Sequence, residues 1–267
     1  MSMALKIWMV CTLFRLPYLD EASWNKLFPH KNPLYTFKAF QSAAARFPGF
    51  LSEGDDTTRR RELAAFLANI AQETSGGWDA APGGYYAWGL YFVVEKKGAT
   101  GGPDALPVYA DTTKHTYPPV PGQAYYGRGP AQLSWNYNYG QFSQAWFGDK
   151  DVLLKDPGRL ERDPELAMAS AIWFWMTPQA PKPSCHQVMG GAWTPSPDDQ
   201  AKGRFPGFGA TVNIINGGVE CGAGKDQERT LHRYAYYRYF CAFLRVSPGD
   251  HVGCADTESY TSTLVHK

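Results

Sequence analysis

The sequence predicts a mainly α, single-domain protein with little β structure, and three observations lead there. Three long segments have helical character, "DDTTRRRELAAFLANIAQET", "RDPELAMASAIWFWMT" and "KDQERTLHRYAYYRYFCAFLRV". Alternating apolar and polar runs, the mark of half-buried strands, are scarce. A length of 267 residues suits one large domain or two small ones with a real core, and no repeat or low-complexity tract divides it.

Taken in order, the first 14 residues, "MSMALKIWMVCTLF", place one Lys before a short apolar stretch, as a signal peptide would. No small-x-small cleavage site follows, so this is an imperfect signal or an N-terminal extension. Residues 33–50 read as a short helix ended by Phe47-Pro48-Gly49. The next helix has Asp56, Thr57 and Thr58 as candidate caps. Residues 76–135 are rich in Gly, Pro and Tyr and read as mostly irregular with a small hairpin. Sixty such residues in a compact domain indicate a functional loop system. Asp163, Pro164 and Glu165 form a complete helix start, and the apolar run behind them predicts a centrally buried helix. Residues 177–207 are a Pro/Gly-rich connection. "GFGATVNIINGG" is a short helical segment bounded by glycines, and a final helix of about five turns closes the fold.

Composition excludes several functions. With 26 basic and 25 acidic residues there is no basic stripe for nucleic acid or an anionic membrane surface. No apolar run reaches the roughly 18 residues of a membrane span. Cys11, Cys185, Cys221, Cys241 and Cys254 form no CxxC pair and no zinc spacing. In an exported protein five cysteines allow at most two bridges, with Cys221–Cys254 one candidate. HExxH, Walker and GxSxG motifs are absent. The "GRG" of Gly127–Gly129 has no predicted strand before it, and Cys185 and His186 are adjacent residues that rarely face each other. The 9 Trp and 16 Tyr suit either stacking on sugars or an aromatic core.

Carboxylates remain. In "FLANIAQETSGGW", Glu73 lies about 20° from Phe66 and about 60° from Ile70 on the helical wheel, on the apolar face. Desolvation there raises a carboxyl pKa. Glu95 follows the apolar run of "YAWGLYFVVEKK" and precedes Lys96 and Lys97, which favour its ionised form. Two carboxyls in contrasting environments suit glycoside hydrolysis, one to protonate the leaving oxygen and one to activate water. For either Glu alone, a salt bridge to a nearby Arg is the plainer reading.

"AQETSGGW", "YYGRGPAQLSWNYNYG", "AIWFWMT" and "GFGATVNIINGGVECG" together resemble the chitinases of glycoside hydrolase family 19, from about Leu19 to Tyr260. The resemblance implies a bilobal, lysozyme-like domain over residues 19–260 with a long substrate cleft, preceded by a segment 1–18 and followed by a tail 261–267. It implies endo-acting, inverting, metal-free hydrolysis of β-1,4-linked N-acetylglucosamine polymers, no cofactor, a chitin or chitooligosaccharide partner, and a secreted or periplasmic monomer.

By the same resemblance Glu73 is the general acid, Glu95 the general base, and Ser134 a holder of the nucleophilic water. Gln132, Tyr137, Asn138, Lys182 and Asn216 would bind sugar, and Trp78 and Trp88 would line subsites. Glu220 and Arg233 would orient and tune the acid, and Cys221–Cys254 matches a family bridge with Cys241 left free. Duller readings stand beside these: the two Trp as core, Asn216 as a turn-closer, Arg233–Glu220 as a structural ion pair.

Departures from the family pattern are Gln72 where it has His, Tyr91 where it has Cys, and a different Gly/Pro-rich loop at 98–122. These features, with the missing disulfide-bonded loops of plant enzymes, resemble the bacterial branch. A peptidoglycan muramidase and a non-catalytic chitin-binding protein are the alternative functions.

Overall fold

A computed structural model of the chain describes residues 16–95, 109–225 and 227–260. Within them the backbone passes through α1 (Glu21–Leu27), α2 (Phe37–Ala44), α3 (Asp56–Thr74), α4 (Asn136–Phe147) and α5 (Asp151–Lys155). A 3-10 turn at Pro157–Glu161 leads to α6 (Pro164–Met176), α7 (Cys185–Met189), α8 (Pro197–Ala201), α9 (Phe208–Glu220) and α10 (Gln227–Phe243). Among the described residues β structure is confined to single antiparallel bridges, Val94–Arg128, Arg128–Leu133 and Gln179–Lys182. No helix of the described residues is long and apolar enough to cross a membrane. The expectations placed on residues 1–15, on Lys96 and Lys97, on 98–108 and on 261–267 lie outside the described residues.

Helix α3 is the axis of the structure. Its N-cap is Asp55, whose carboxylate accepts the Thr58 N–H at 2.7 Å, one residue before the expected Asp56, Thr57 or Thr58. Asp56 instead takes hydrogen bonds from Arg60 and from the Tyr18 hydroxyl. Eleven of its nineteen residues are buried, because α10 packs along one side and α7 and α9 approach from others. Helix α6 begins as the sequence indicates, with Asp163 accepting the Leu166 N–H at 3.0 Å and Pro164 in the first turn. It is enclosed on nearly every side.

The core is aromatic. Phe66 of α3 meets Phe40, Phe50 and Trp175 with ring centroids 5.0–5.7 Å apart, and Trp24 stacks on Phe40 at 5.1 Å. Edge-to-face and offset contacts of this kind add to the area buried. Most of the large rings are therefore structural. The expected helix within 33–50 is shorter, starting after the Thr36 cap. Helix α4 was not predicted, since Asn, Gly and Tyr in "NYNYGQFSQAWF" are poor helix formers. Burial of seven of its residues overrides that propensity. Cys221 and Cys254 are bridged, while Cys185 and Cys241 are buried free thiols.

Candidate active site

Glu73 is the penultimate residue of α3, at the helix end where the macrodipole disfavours negative charge. Gly76 (φ +88°) and Gly77 (φ +66°) then turn the chain through left-handed conformations. A Cβ on Gly77 would stand 2.5 Å from the Tyr85 carbonyl, so the turn has room for glycine alone. The returning segment is laid against the helix end. Leu90 N–H donates to Thr74 Oγ1 at 2.7 Å, Phe92 N–H donates to the Thr74 carbonyl at 2.9 Å, and Ser75 Oγ donates to the Trp88 carbonyl. This pins the segment leading to Glu95, three residues after Phe92, against the end of the helix that carries Glu73.

Glu95 sits on the small antiparallel pairing of Val94 with Arg128. Its N–H donates to the Gly127 carbonyl at 3.1 Å, and its Oε2 accepts the Gly127 N–H at 3.0 Å. Gly127 must be glycine for that contact. A Cβ there would lie 2.9 Å from Glu95 Cγ and 2.9 Å from Gln132 Oε1. The other carboxylate oxygen, Oε1, accepts from the Tyr109 hydroxyl at 3.2 Å. Burial, together with the neighbouring Glu95 charge, pushes the Tyr109 pKa up to about 12, so the phenol keeps its proton to donate. The "GRG" arginine has a structural task. Arg128 donates to the Ala124 carbonyl and the Tyr139 hydroxyl, pairs with Glu161, and lies over the Tyr126 ring, clamping the limb that opposes Glu95.

Beside Glu73, Arg233 of α10 is fully buried. Its Nη2 donates to Glu73 Oε1 at 2.7 Å and to Glu220 Oε1 at 2.6 Å, and its Nε donates to Glu220 Oε2 at 3.0 Å. Asn69, one turn before Glu73, accepts from Arg233 Nη1 at 2.9 Å, and Asn216 Nδ2 donates to Glu220 Oε1 at 2.8 Å. Burial opposes the Arg233 charge, but the charges of Glu220 and Glu73 outweigh it and raise its pKa. Fully ionised, these three side chains carry one net negative charge. Glu220 is 0% exposed and takes two guanidinium hydrogen bonds plus the Asn216 amide. Glu73 takes one from the guanidinium, its side chain is 8% exposed, and it borders a recess shared with Ile70, Ala131, Phe174 and Ile215. Of the two carboxyls on Arg233, Glu73 is therefore the one that faces the recess.

A groove lies beside that recess and shares Ala131, Phe174 and Ile215 with it. Ser134, Tyr137, Asn138 and Lys182 are among its lining residues. Past Tyr137 and Gln179 it continues to Lys114, whose ammonium stands 5.5 Å from the Tyr137 ring centre. Ser134 Oγ donates to the Gln132 carbonyl at 2.9 Å, which leaves its lone pairs to accept from a guest. Asn138 is held from both ends, donating to the Ser134 carbonyl at 2.9 Å and accepting from Gln179 at 3.3 Å. Lys182 Nζ donates to the Ile214 carbonyl at 3.0 Å. The other residues expected to contact sugar have these surroundings, with Gln132 also lining the groove. Gln132 is buried with its amide donating to the Gly129 carbonyl, bracing the loop. Asn216 is buried at a kink in α9 (φ −143°, ψ 27°), where it holds Glu220. Trp88 is half-buried, stacked under His30 at 4.3 Å, with Trp78 5.3 Å away and more exposed.

Sequence reasoning missed Asn69 and Tyr109. Asn69 had a signal, being a polar residue four before Glu73 on the same helix face. Tyr109 had none, since it lies at the edge of an aperiodic loop. Gln72, in the position of the family histidine, leaves its buried Oε1 without a hydrogen-bond partner among the described residues. Among the described residues no group of three or more His, Cys, Asp or Glu is placed to hold a metal ion.

The glycoside hydrolase family 19 model, described as chitinase class I, matches residues 22–254. The chain belongs to this family. It is 44% identical over 249 residues to endochitinase A2 of Pisum sativum, covering 91% of this chain and 73% of the relative. It is 49% identical over 235 residues to the basic 30 kDa endochitinase of Solanum lycopersicum, covering 88% and 69%. The crystal structure of a bacterial family 19 chitinase superposes with a TM-score of 0.69 at 32% identity, covering 89% of this chain and 100% of that one. The family fold is lysozyme-like, and the mainly helical architecture described above is that fold.

Proposed function

We propose that the chain is an endo-acting chitinase that hydrolyses the β-1,4 linkages between N-acetylglucosamine units with inversion, through a general acid and a general base. Family membership supports the activity and substrate class. The observation that carries the mechanism is the pairing of environments: Glu73 beside Arg233 and Glu220 at a recess, Glu95 held by the Gly127 N–H and the Tyr109 hydroxyl. Glu73 protonates the glycosidic oxygen. Glu95 takes a proton from a water whose other hydrogen is accepted by Ser134 Oγ, and that water attacks the opposite face of the sugar. Arg233, Glu220, Asn69 and Asn216 orient the acid. Tyr137, Asn138 and Lys182 line the groove for the sugar chain, and Trp78 and Trp88 stand at its approach.

The same proposal takes residues 19–260 as the catalytic unit and the protein as an exported monomer, since a disulfide persists in oxidising compartments. Two features support a bacterial-type loop set, Tyr91 in place of the family cysteine and one bridge among the described cysteines. Sequence identity favours the plant endochitinases, at 44% and 49% against 32% for the bacterial structure. The bacterial resemblance is therefore proposed for loop shape and not for ancestry.

The test is incubation with chitin hexasaccharide and, separately, purified peptidoglycan, following product anomers by NMR. Chitin cleavage with the α-anomer appearing first is expected, and Glu73→Gln should lower turnover by at least about a hundredfold while oligosaccharide binding persists. β-Anomer first would overturn the inverting mechanism. Cleavage of peptidoglycan alone would overturn the substrate.

A further inference from the structure

We infer that Thr211 is a positioning residue for the acid: its hydroxyl fixes which way the Asn69 side-chain amide points, and Asn69 in turn fixes Arg233 against Glu73. The inference rests on the chitinase reading above and adds a residue of α9 that acts only through Asn69 and Arg233.

The guanidinium of Arg233 has five N–H groups in one plane. Three go to carboxylates, two to Glu220 and one to Glu73, and a fourth goes from Nη1 to Asn69 Oδ1 at 2.9 Å. A planar cation held by two carboxylates can trade one against the other by turning in its plane. An acceptor on the remaining nitrogen sets the angle at which Nη2 meets Glu73. Because Asn69 is neutral, it does so without adding charge to the cluster.

This works only while the amide presents its oxygen to Arg233. On its other side Asn69 Nδ2 donates to the Ala65 carbonyl at 2.8 Å and to Thr211 Oγ1 at 3.2 Å. A hydroxyl has one proton and two lone pairs. Thr211 donates its proton to the Phe208 carbonyl at 2.7 Å, so towards Asn69 it is an acceptor. A flipped amide would aim its oxygen at two acceptors and its NH2 at a cationic donor. Asn69, Thr211 and Arg233 are all buried, which removes the solvent that could satisfy a turned amide.

The carbonyl that takes the Thr211 proton is itself anchored. Phe208 opens α9, and its ring lies on Tyr237 at 4.1 Å with an interplanar angle of 3°. Tyr237 is four residues after Arg233 on α10. The next residue of α9, Gly209, donates its N–H to the His251 carbonyl at 2.9 Å. Phe208, Thr211, Asn69 and Arg233 therefore close a circuit through α9, α3 and α10, and Glu73 hangs from its last member.

The experiment measures steady-state hydrolysis of chitin hexasaccharide by the parent and each variant, with a melting curve for each. Thr211→Val keeps the shape and removes the acceptor, so kcat should fall roughly three- to tenfold with KM within twofold. Thr211→Ser restores a hydroxyl and should bring kcat back to within twofold of the parent. Thr211→Ala should repeat the loss with a smaller side chain, which separates a missing acceptor from a misfitting valine. In an Asn69→Ala background there is no amide to aim, and Thr211→Val should then lower kcat by less than twofold. A lower melting temperature with kcat unchanged in both Thr211→Val and Thr211→Ala would overturn the positioning role alone. An equal loss of kcat with and without the Asn69 amide would overturn it too. If the parent cleaves no chitin oligosaccharide, the chitinase reading falls and this role with it.

Discussion

Arg233 Nη2 stands 2.7 Å from Glu73 Oε1 and, through the same nitrogen, 2.6 Å from Glu220 Oε1. A guanidinium alone beside a catalytic acid would hold it ionised. The second carboxylate offsets that charge, and it does so from a site with no solvent access. Glu220→Gln keeps the shape and removes the offset. The basic limb of the activity profile should then move to lower pH, with kcat reduced at neutral pH. A pH–rate profile of the variant against the parent checks this, and an unshifted basic limb would return Glu220 to a purely structural role.

Tyr109 is the hydrogen-bond donor to the Glu95 oxygen that Gly127 does not hold. With its pKa pushed up to about 12 by burial and by the Glu95 charge, the phenol donates throughout the working range. Tyr109→Phe should lower kcat by about tenfold, the scale of one positioning hydrogen bond at a reacting carboxylate, and leave KM within twofold. Steady-state kinetics on a soluble oligosaccharide separate the two constants. An equal rise in KM would place Tyr109 in substrate binding instead.

What could be read beforehand follows the physics of each residue. Helices α3 and α6 announce themselves because caps and apolar spacing agree, although the choice between Asp55 and Asp56 rests on backbone geometry that two adjacent aspartates do not reveal. Glu73 was legible because a carboxyl on an apolar face breaks a pattern. Arg233 and Glu220 came from family spacing, and their contact with Glu73 needs α3, α9 and α10 in place. Helix α4 was hidden by its composition, and Tyr109 by the absence of any period in its loop. Asn216 and Gln132 were named from the resemblance, while the groups they hold, Glu220 and the Gly129 carbonyl, needed the fold in place. A polar side chain beside a groove turns inward when a buried partner such as Glu220 needs a donor.

Gly127 carries a prediction of its own. A methyl group there would lie 2.9 Å from Glu95 Cγ and from Gln132 Oε1, so one of them must move. Gly127→Ala should therefore misplace the base and lower kcat by about a hundredfold, while stability falls by only about 1–3 kcal/mol as a local overpacking. Kinetics paired with urea unfolding check both halves. A variant that loses stability and activity in proportion would contradict the specific role of the close approach.

The last prediction concerns stability and pH. Glu62 of α3 is fully buried and accepts from His186 Nδ1 at 2.6 Å, from the Trp175 indole N–H at 3.0 Å and from the Leu51 N–H at 3.3 Å. The exposed Glu53 faces the other ring nitrogen of His186 at 3.3 Å. Burial works against a charge on His186, but the hydrogen bond and charge of Glu62, with Glu53 behind, outweigh it and raise its pKa above the ordinary 6.5. A raised histidine pKa contributes stability that is fully present below the unfolded value and is lost as pH climbs through the folded one. The link joins α7, next to the Lys182 loop, to the centre of α3, so its weakening would be felt as unfolding rather than as a change at the carboxylates. His186→Gln should lower the melting temperature most at about pH 5, and the gap to the parent should narrow steadily above neutrality. Melting curves across that range decide the matter. A constant gap would mean that His186 contributes packing and a neutral hydrogen bond, with no charge behind it.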